Sequence, residues 1–315
     1  MVNKKWLFVF LLIAFLFIGF VFIMLVAARS RELAKKETTK NAPTDTIQHN
    51  TTKYINDTSI TVLANGHFYQ YHYRNSIHCP FGCPYDSDTT DDYILEKPQF
   101  TISYCSKKNV ANWVAWQLNA SWVGNEDRFD GKFISDNTLP ASFYKVKHSD
   151  YINSGYDRGH LVRSKERTRN GEDNRATFLL TNIVPQTPDL NRGVWLRFED
   201  YYLNKALKEN KNMFIVSGGI FRSNKTLKNK GIVAIPDSCY KIVLFTLKEK
   251  IEEISNRNDF EIVAISMPNI QGIRNDNWQK YITTVDKIEY STGYDFFMLL
   301  PDSIENYLES RLKKP

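Results

Sequence analysis

Tyr156-Asp157-Arg158-Gly159-His160 is the stretch that decides the fold, read together with Thr181-Asn182-Ile183-Val184-Pro185-Gln186 and Leu190-Asn191-Arg192-Gly193. On an extended strand, residues i and i+2 face the same side, so Arg158 and His160 can address one group, with Gly159 leaving little bulk between them. Pro188 and Asp189 open a helix that runs through Trp195, Phe198 and Tyr202 towards Leu207. Asn191 stands near its first turn, where backbone N–H groups are unpaired and the dipole favours anions. Glu199 follows on the same helix, about 12 Å along the axis and roughly 80° round it. The two border one surface, but other elements must close in before both reach one ion. The plain alternative is that Asn191 caps the helix and Glu199 lies on its solvated face.

These residue types suit hydrolysis of a phosphodiester. A water must lose a proton as it attacks phosphorus, and imidazole titrates at about 6.5, close to working pH, which makes His160 the candidate base. Arginine grips phosphate through two donors without titrating. A divalent cation stabilises the charge that develops on the phosphoryl and leaving oxygens, and a hard ion accepts an amide oxygen, phosphate oxygens and waters. The stretch after His160 carries Arg163, Lys165, Arg167 and Arg169 against Glu166 alone. It reads equally as a track along a nucleic-acid backbone and as a solvated loop.

Outward from this centre, Phe100–Cys105, Asn112–Leu118, Met213–Ser217, Gly231–Ile235, Tyr240–Thr246 and Ile262–Met267 are short apolar runs between turn signals, expected as strands of a central sheet. Val62–Tyr73 suggests an early strand, Trp278–Val285 a weak helix, and a second helix follows near the C-terminus. One α+β domain over residues 60–315 accounts for this pattern.

Before it, residues 1–5 form a short tail, and residues 6–28 carry no charge. That run makes about 34 Å of helix, which matches a bilayer core, so a transmembrane anchor is expected, ahead of a cleaved signal or a buried helix. Residues 29–59 are polar and read as a stalk. Lys4 and Lys5 precede the span, and Arg29, Arg31, Lys35 and Lys36 follow it. Alone, that bias would put the domain in the cytoplasm. Cys79, Cys83, Cys105 and Cys239 all lie beyond the span and favour an oxidising compartment, with at least one disulfide in any of three pairings. Four thiols or a zinc site are the alternatives. The net charge of +6 and pI of about 8.9 suit a polyanion but license little by themselves.

The motif blocks, with Trp195 and Glu199, Val216-Ser217-Gly218-Gly219 and Thr292-Gly293-Tyr294-Asp295-Phe296-Phe297, resemble the DNA/RNA non-specific endonucleases. These are the ββα-metal group of secreted bacterial nucleases and the mitochondrial endonuclease G type. The resemblance covers about residues 95–310. It implies a ββα-metal finger on a central, mostly antiparallel sheet flanked by helices. It also implies cleavage of DNA and RNA through contacts to the phosphate backbone, with little sequence preference. By the same resemblance His160 is the general base and Asn191 the protein ligand of Mg2+, with Mn2+ or another divalent cation as alternatives. Glu199 holds metal-bound waters, Asn182 supports the site by fixing His160 or a nearby loop, and Arg158 lies against phosphate or is mainly structural. Arg128 is the nearest match to an upstream phosphate-binding arginine, at an altered spacing. An inactive nucleic-acid-binding protein of the same fold is the rival reading, and a homodimer is left open.

Overall fold

The computed structural model describes residues 76–86, 88–227, 231–248 and 253–312, together with the backbone of three strands between 52 and 72. The apolar run 6–28, the tail before it and most of the expected stalk lie outside the described residues. Among the described residues no helix is long and apolar enough to cross a membrane. The chain divides into two compact units, Met1–His72 and Tyr73–Pro315.

In the first unit, β1 (Thr52–Asn56), β2 (Ser59–Ala64) and β3 (His67–His72) form an antiparallel meander with Ile55 opposite Ile60 and Val62 opposite Tyr69. The expected stalk and the strand expected over Val62–Tyr73 both overlap this meander.

The second unit is built on a seven-stranded antiparallel sheet. Its strands are β4 (Tyr93–Lys97), β5 (Phe100–Cys105), β6 (Val110–Leu118), β9 (Asn212–Ile220), β10 (Ser238–Thr246), β11 (Phe260–Pro268) and β12 (Ile282–Thr283), in the order β12-β11-β10-β9-β6-β5-β4. Alternation along each strand supplies two apolar faces. On β10, Cys239, Val243 and Phe245 join one core, and Tyr240, Ile242 and Leu244 join the other. On β6, Val114, Trp116 and Leu118 face the first, with Trp113 and Ala115 facing the second. A sheet apolar on both faces needs a cover on each.

The first face is covered by a pair of short strands, β7 (Asp157–His160) and β8 (Ile183–Gln186), and by α2 (Trp195–Glu209). Helix α1 (Gly171–Ala176) lies between the two strands in sequence, with Asn170 as its cap. The α2 residues Trp195, Phe198, Glu199, Tyr202, Leu203 and Ala206 are buried, the spacing of one helical stripe. Asn210 ends α2 at φ 46° in the left-handed region, donating to the Ala206 carbonyl. The second face is covered by α3 (Val285–Thr292) and α4 (Asp302–Glu309), through Val285, Ile288 and Leu308.

Two local expectations are corrected. Gly231–Ile235 is not a strand; Ala234 makes only an isolated bridge to Thr226. Trp278–Val285 is not a helix either: a 3-10 turn at Trp278–Tyr281 leads into β12, and α3 begins only at Val285. The β-branched run Ile282-Thr283-Thr284 favours extended backbone, and the Thr284 side chain caps α3 by accepting from the Lys287 N–H.

Candidate active site

β7 and β8 pair antiparallel, with His160 opposite Ile183, Arg158 opposite Pro185 and Asp157 opposite Gln186. Gly159 is required there, since a Cβ at this position would clash with the Gln186 side chain. Asn182, fully buried, clamps the turn that follows His160. Its Oδ1 accepts from the Val162 N–H at 2.9 Å, and its Nδ2 donates to the carbonyls of Val162 and Thr177, each at 2.9 Å. Asn182 thus holds the loop beside His160, and the imidazole itself is held by packing. Its ring sits 5.2 Å from Phe133 and 5.0 Å from Phe178 by centroid. Nε2 is buried and has no hydrogen-bond partner among the described residues, although the residue as a whole is half-buried. Burial, then the positive charges of Arg128, Arg163 and Lys241, lower the His160 pKa to about 3. The ring is therefore neutral in the free protein.

Arg158 lies on the same side of β7. Its guanidinium stacks 5.7 Å from the Phe133 ring and 5.5 Å from Tyr151, and its Nη2 donates to the His148 carbonyl at 2.7 Å. These contacts hold the half-buried guanidinium in place.

Between β8 and α2 the chain makes a π-turn, Leu190–Val194, broken at Gly193 by non-helical angles (φ −119°, ψ −110°). A Cβ on Gly193 would lie 2.7 Å from the Arg274 carbonyl oxygen, so this close approach needs glycine. Asn191 in this turn is no helix cap. Its Nδ2 donates to Asp157 Oδ2 at 3.0 Å, and Arg192 binds the same carboxylate. The amide orientation is thereby fixed, with Oδ1 as the oxygen available to a cation.

Glu199 is 5 % exposed, which rules out the solvated-face reading. Its Oε1 accepts from Lys241 Nζ at 2.9 Å, while Oε2 stands 3.8 Å from Arg163 Nε. Lys241, fully buried on β10, also donates to the Leu161 carbonyl and the Tyr202 hydroxyl, and lies over Trp195 at 4.8 Å and Trp116 at 5.1 Å. Glu166 completes the network, accepting from Trp116 Nε1 at 2.7 Å and from the Tyr202 hydroxyl at 2.6 Å. Sequence reasoning missed Lys241. The signal was a single charge inside the otherwise uncharged run Cys239–Thr246.

Arg128 donates to the Ser164 hydroxyl, and its guanidinium lies 4.7 Å from the Phe178 ring that also contacts His160. Burial, then the nearby Arg163 charge, lowers its pKa, so an anion beside these groups would be welcomed. The basic stretch 161–169 does not behave as one unit. Arg163 pairs with Asp200 at 2.6 Å, and Arg169 with Asp173 at 2.8 Å. Arg167 is fully buried, donating to the carbonyls of Gln99, Gln117 and Glu166. The stretch is therefore not a solvated loop as a whole, although Lys165 and Arg169 stay exposed. Cys79 and Cys83 form a disulfide, and Cys105 and Cys239 are free and buried.

Among the described residues, no group of three His, Cys, Asp or Glu ligands gathers at this site. The donor set here is one oriented amide oxygen, with Glu199 on the helix that follows it. That suits a hard ion which takes the rest of its shell from water and phosphate. A neutral imidazole among cations, on the strand whose Asp157 orients that amide, is chemistry suited to a phosphodiester and points to the nucleases.

Comparison with known proteins gives the family. The sequence profile of the DNA/RNA non-specific endonucleases matches residues 82–303. A nuclease from Nostoc sp. strain PCC 7120 is 42 % identical over 243 residues, covering 75 % of this chain and 86 % of the relative. Human mitochondrial endonuclease G is 23 % identical over 214 residues, covering 64 % and 69 %. The fold is similar to that in a crystal structure of the EndoG/EndoGI complex, with a TM-score of 0.59 and 23 % identity, covering 71 % of this chain and 91 % of that one. The chain belongs to the DNA/RNA non-specific endonuclease family and is a nuclease acting on DNA and RNA. The family is one of divalent-metal-dependent enzymes.

Proposed function

We propose that His160 is the general base, that Asn191 Oδ1 is the protein ligand of Mg2+, and that Glu199 holds metal-bound water through Oε2. The observation that carries this reading is the Asn191 amide, locked by Asp157 on the strand that also presents His160. With Nε2 sealed inside, Nδ1 is the nitrogen left to take the proton of the attacking water. The neutral state of the ring keeps that lone pair available. Arg128, which contacts the same Phe178 ring as His160, grips a non-bridging phosphate oxygen. The metal, when bound, stabilises charge on the phosphoryl and leaving oxygens. Grip on phosphate rather than base edges gives little sequence preference.

The test is the magnesium dependence of cleavage by wild type and N191A. Asn191→Ala is expected to abolish cleavage at ordinary Mg2+, with partial rescue at high metal. Unchanged rate and Mg2+ dependence in N191A would refute the assignment.

For location, the reading remains a single-pass anchor at residues 6–28 with the nuclease domain on the outer or lumenal side, in the periplasm, at the cell surface or in an intermembrane space. It is supported by the uncharged run and by the Cys79–Cys83 disulfide. Digestion of the domain by protease applied to the cytoplasmic side of sealed membranes would count against it.

A further inference from the structure

The sheet face opposite His160 carries a second concentration of charge. Asp286 and Glu289 on α3 and Glu309 at the end of α4 bring carboxylate oxygens within 4.8 Å of one another, and Glu309 is equally close to Asp295 and Glu305. Three separate stretches of chain thus converge on one carboxylate.

Glu309 is only 6 % exposed, and its Oε1 has no hydrogen-bond partner among the described residues. A buried carboxylate oxygen without a partner is costly, and a counter-charge is the usual remedy. The charged groups acting most strongly on Glu309 are Glu289, Glu305, Asp295 and Asp286, every one acidic. Burial first, and then these neighbours, hold its carboxyl far above the usual carboxylate range. Glu309 is hydrogen-bonded to Glu289, and a proton shared between them would lower the charge but leave Oε1 without a partner. A cation satisfies the oxygen and the charge together. Asp286 is exposed, which gives an ion its route from solvent.

We propose that Asp286, Glu289 and Glu309 bind a divalent cation that ties α3 to α4, separately from the catalytic metal. Ca2+ fits best, because it accepts many oxygens in flexible geometry, whereas Mg2+ demands near-ideal octahedral geometry and gives up water reluctantly.

Thermal unfolding of the full-length chain tests this, first in EDTA and then with Ca2+ alone as the probe. Ca2+ is expected to raise the Tm of wild type by roughly 5–10 °C at about a hundred times its Kd. N191A should keep the whole shift, and E309Q should lose it. D286N, altered at an exposed position where folding is safe, should need at least about tenfold more Ca2+ for the same shift. No Ca2+ shift in wild type would overturn the proposal. So would a shift that N191A loses, or one that D286N retains at wild-type Ca2+.

Discussion

Asn191 Nδ2 donates to Asp157 Oδ2 at 3.0 Å, linking the π-turn before α2 to the first residue of β7. A side-chain amide can present either its oxygen or its nitrogen, and this hydrogen bond decides which. D157A should therefore raise the Mg2+ needed for half-maximal cleavage by about 10–100-fold, the usual effect of losing a group that orients a metal ligand. Arg192, which also binds Asp157, is 62 % exposed in its side chain, so R192A should change this value little. A magnesium titration of the two variants checks it; equal behaviour would mean that Asp157 does not orient Asn191.

Glu199 and Lys241 form a buried pair at 2.9 Å, and removing one charge strands the other. E199Q is expected to lower unfolding free energy by about 3–5 kcal/mol, and the double variant E199Q/K241M to recover most of that loss. Urea unfolding measures both. Wild-type stability in E199Q would show that Glu166 or water carries the charge balance for Lys241 instead. Activity of E199Q needs comparison under conditions where it is folded, and there it should exceed that of N191A.

The same pair shows how far the sequence could be read. The motif Asp157–His160, the Asn182 and Asn191 blocks and Glu199 stood out through their resemblance to the endonuclease family; the strand and helix periods alone said only that Arg158 and His160 share a side and that Asn191 and Glu199 can border one surface. The main strands were legible because their apolar runs are bounded by turns. Lys241 was not, because nothing local tells which distant acid will neutralise a lysine within a strand. Arg167 was misread within a basic loop, since its carbonyl partners come from Gln99 and Gln117, far away in sequence. The Asp157–Asn191 link was likewise hidden, as it depends on the π-turn that Gly193 permits. Gly231–Ile235 failed as a strand because apolar content alone does not supply a pairing partner.

His160 and His78 are both held neutral, with pKa values lowered to about 3 and about 4, chiefly by burial. The unfolded chain takes up protons at these positions below about pH 6.5, whereas the folded one does so only near the lowered values. Their contribution to stability is thus complete above that pH and is lost as pH falls towards 3–4. Histidine NMR titration of the free protein should find both rings neutral at pH 5.5. A His160 midpoint of about 6.5, the unperturbed value, would contradict the environment described.

The disulfide pairing predicts a thiol count. Denatured without reductant, the protein should show two reactive thiols, from Cys105 and Cys239, and reduction should expose those of Cys79 and Cys83. Four thiols before reduction, in protein purified from its native membrane, would remove the support for an oxidising compartment.

The central claim is that His160 performs the proton transfer in a metal-dependent cut of nucleic acid. It is tested most directly by cleavage of supercoiled plasmid and of RNA by wild-type and H160A full-length protein, each with Mg2+ and with EDTA. Wild type should cut both substrates with Mg2+ and neither with EDTA. H160A should be slower by about 10²–10⁴-fold while still binding DNA. An H160A rate within about threefold of wild type, well short of what a general base supplies, would contradict the account.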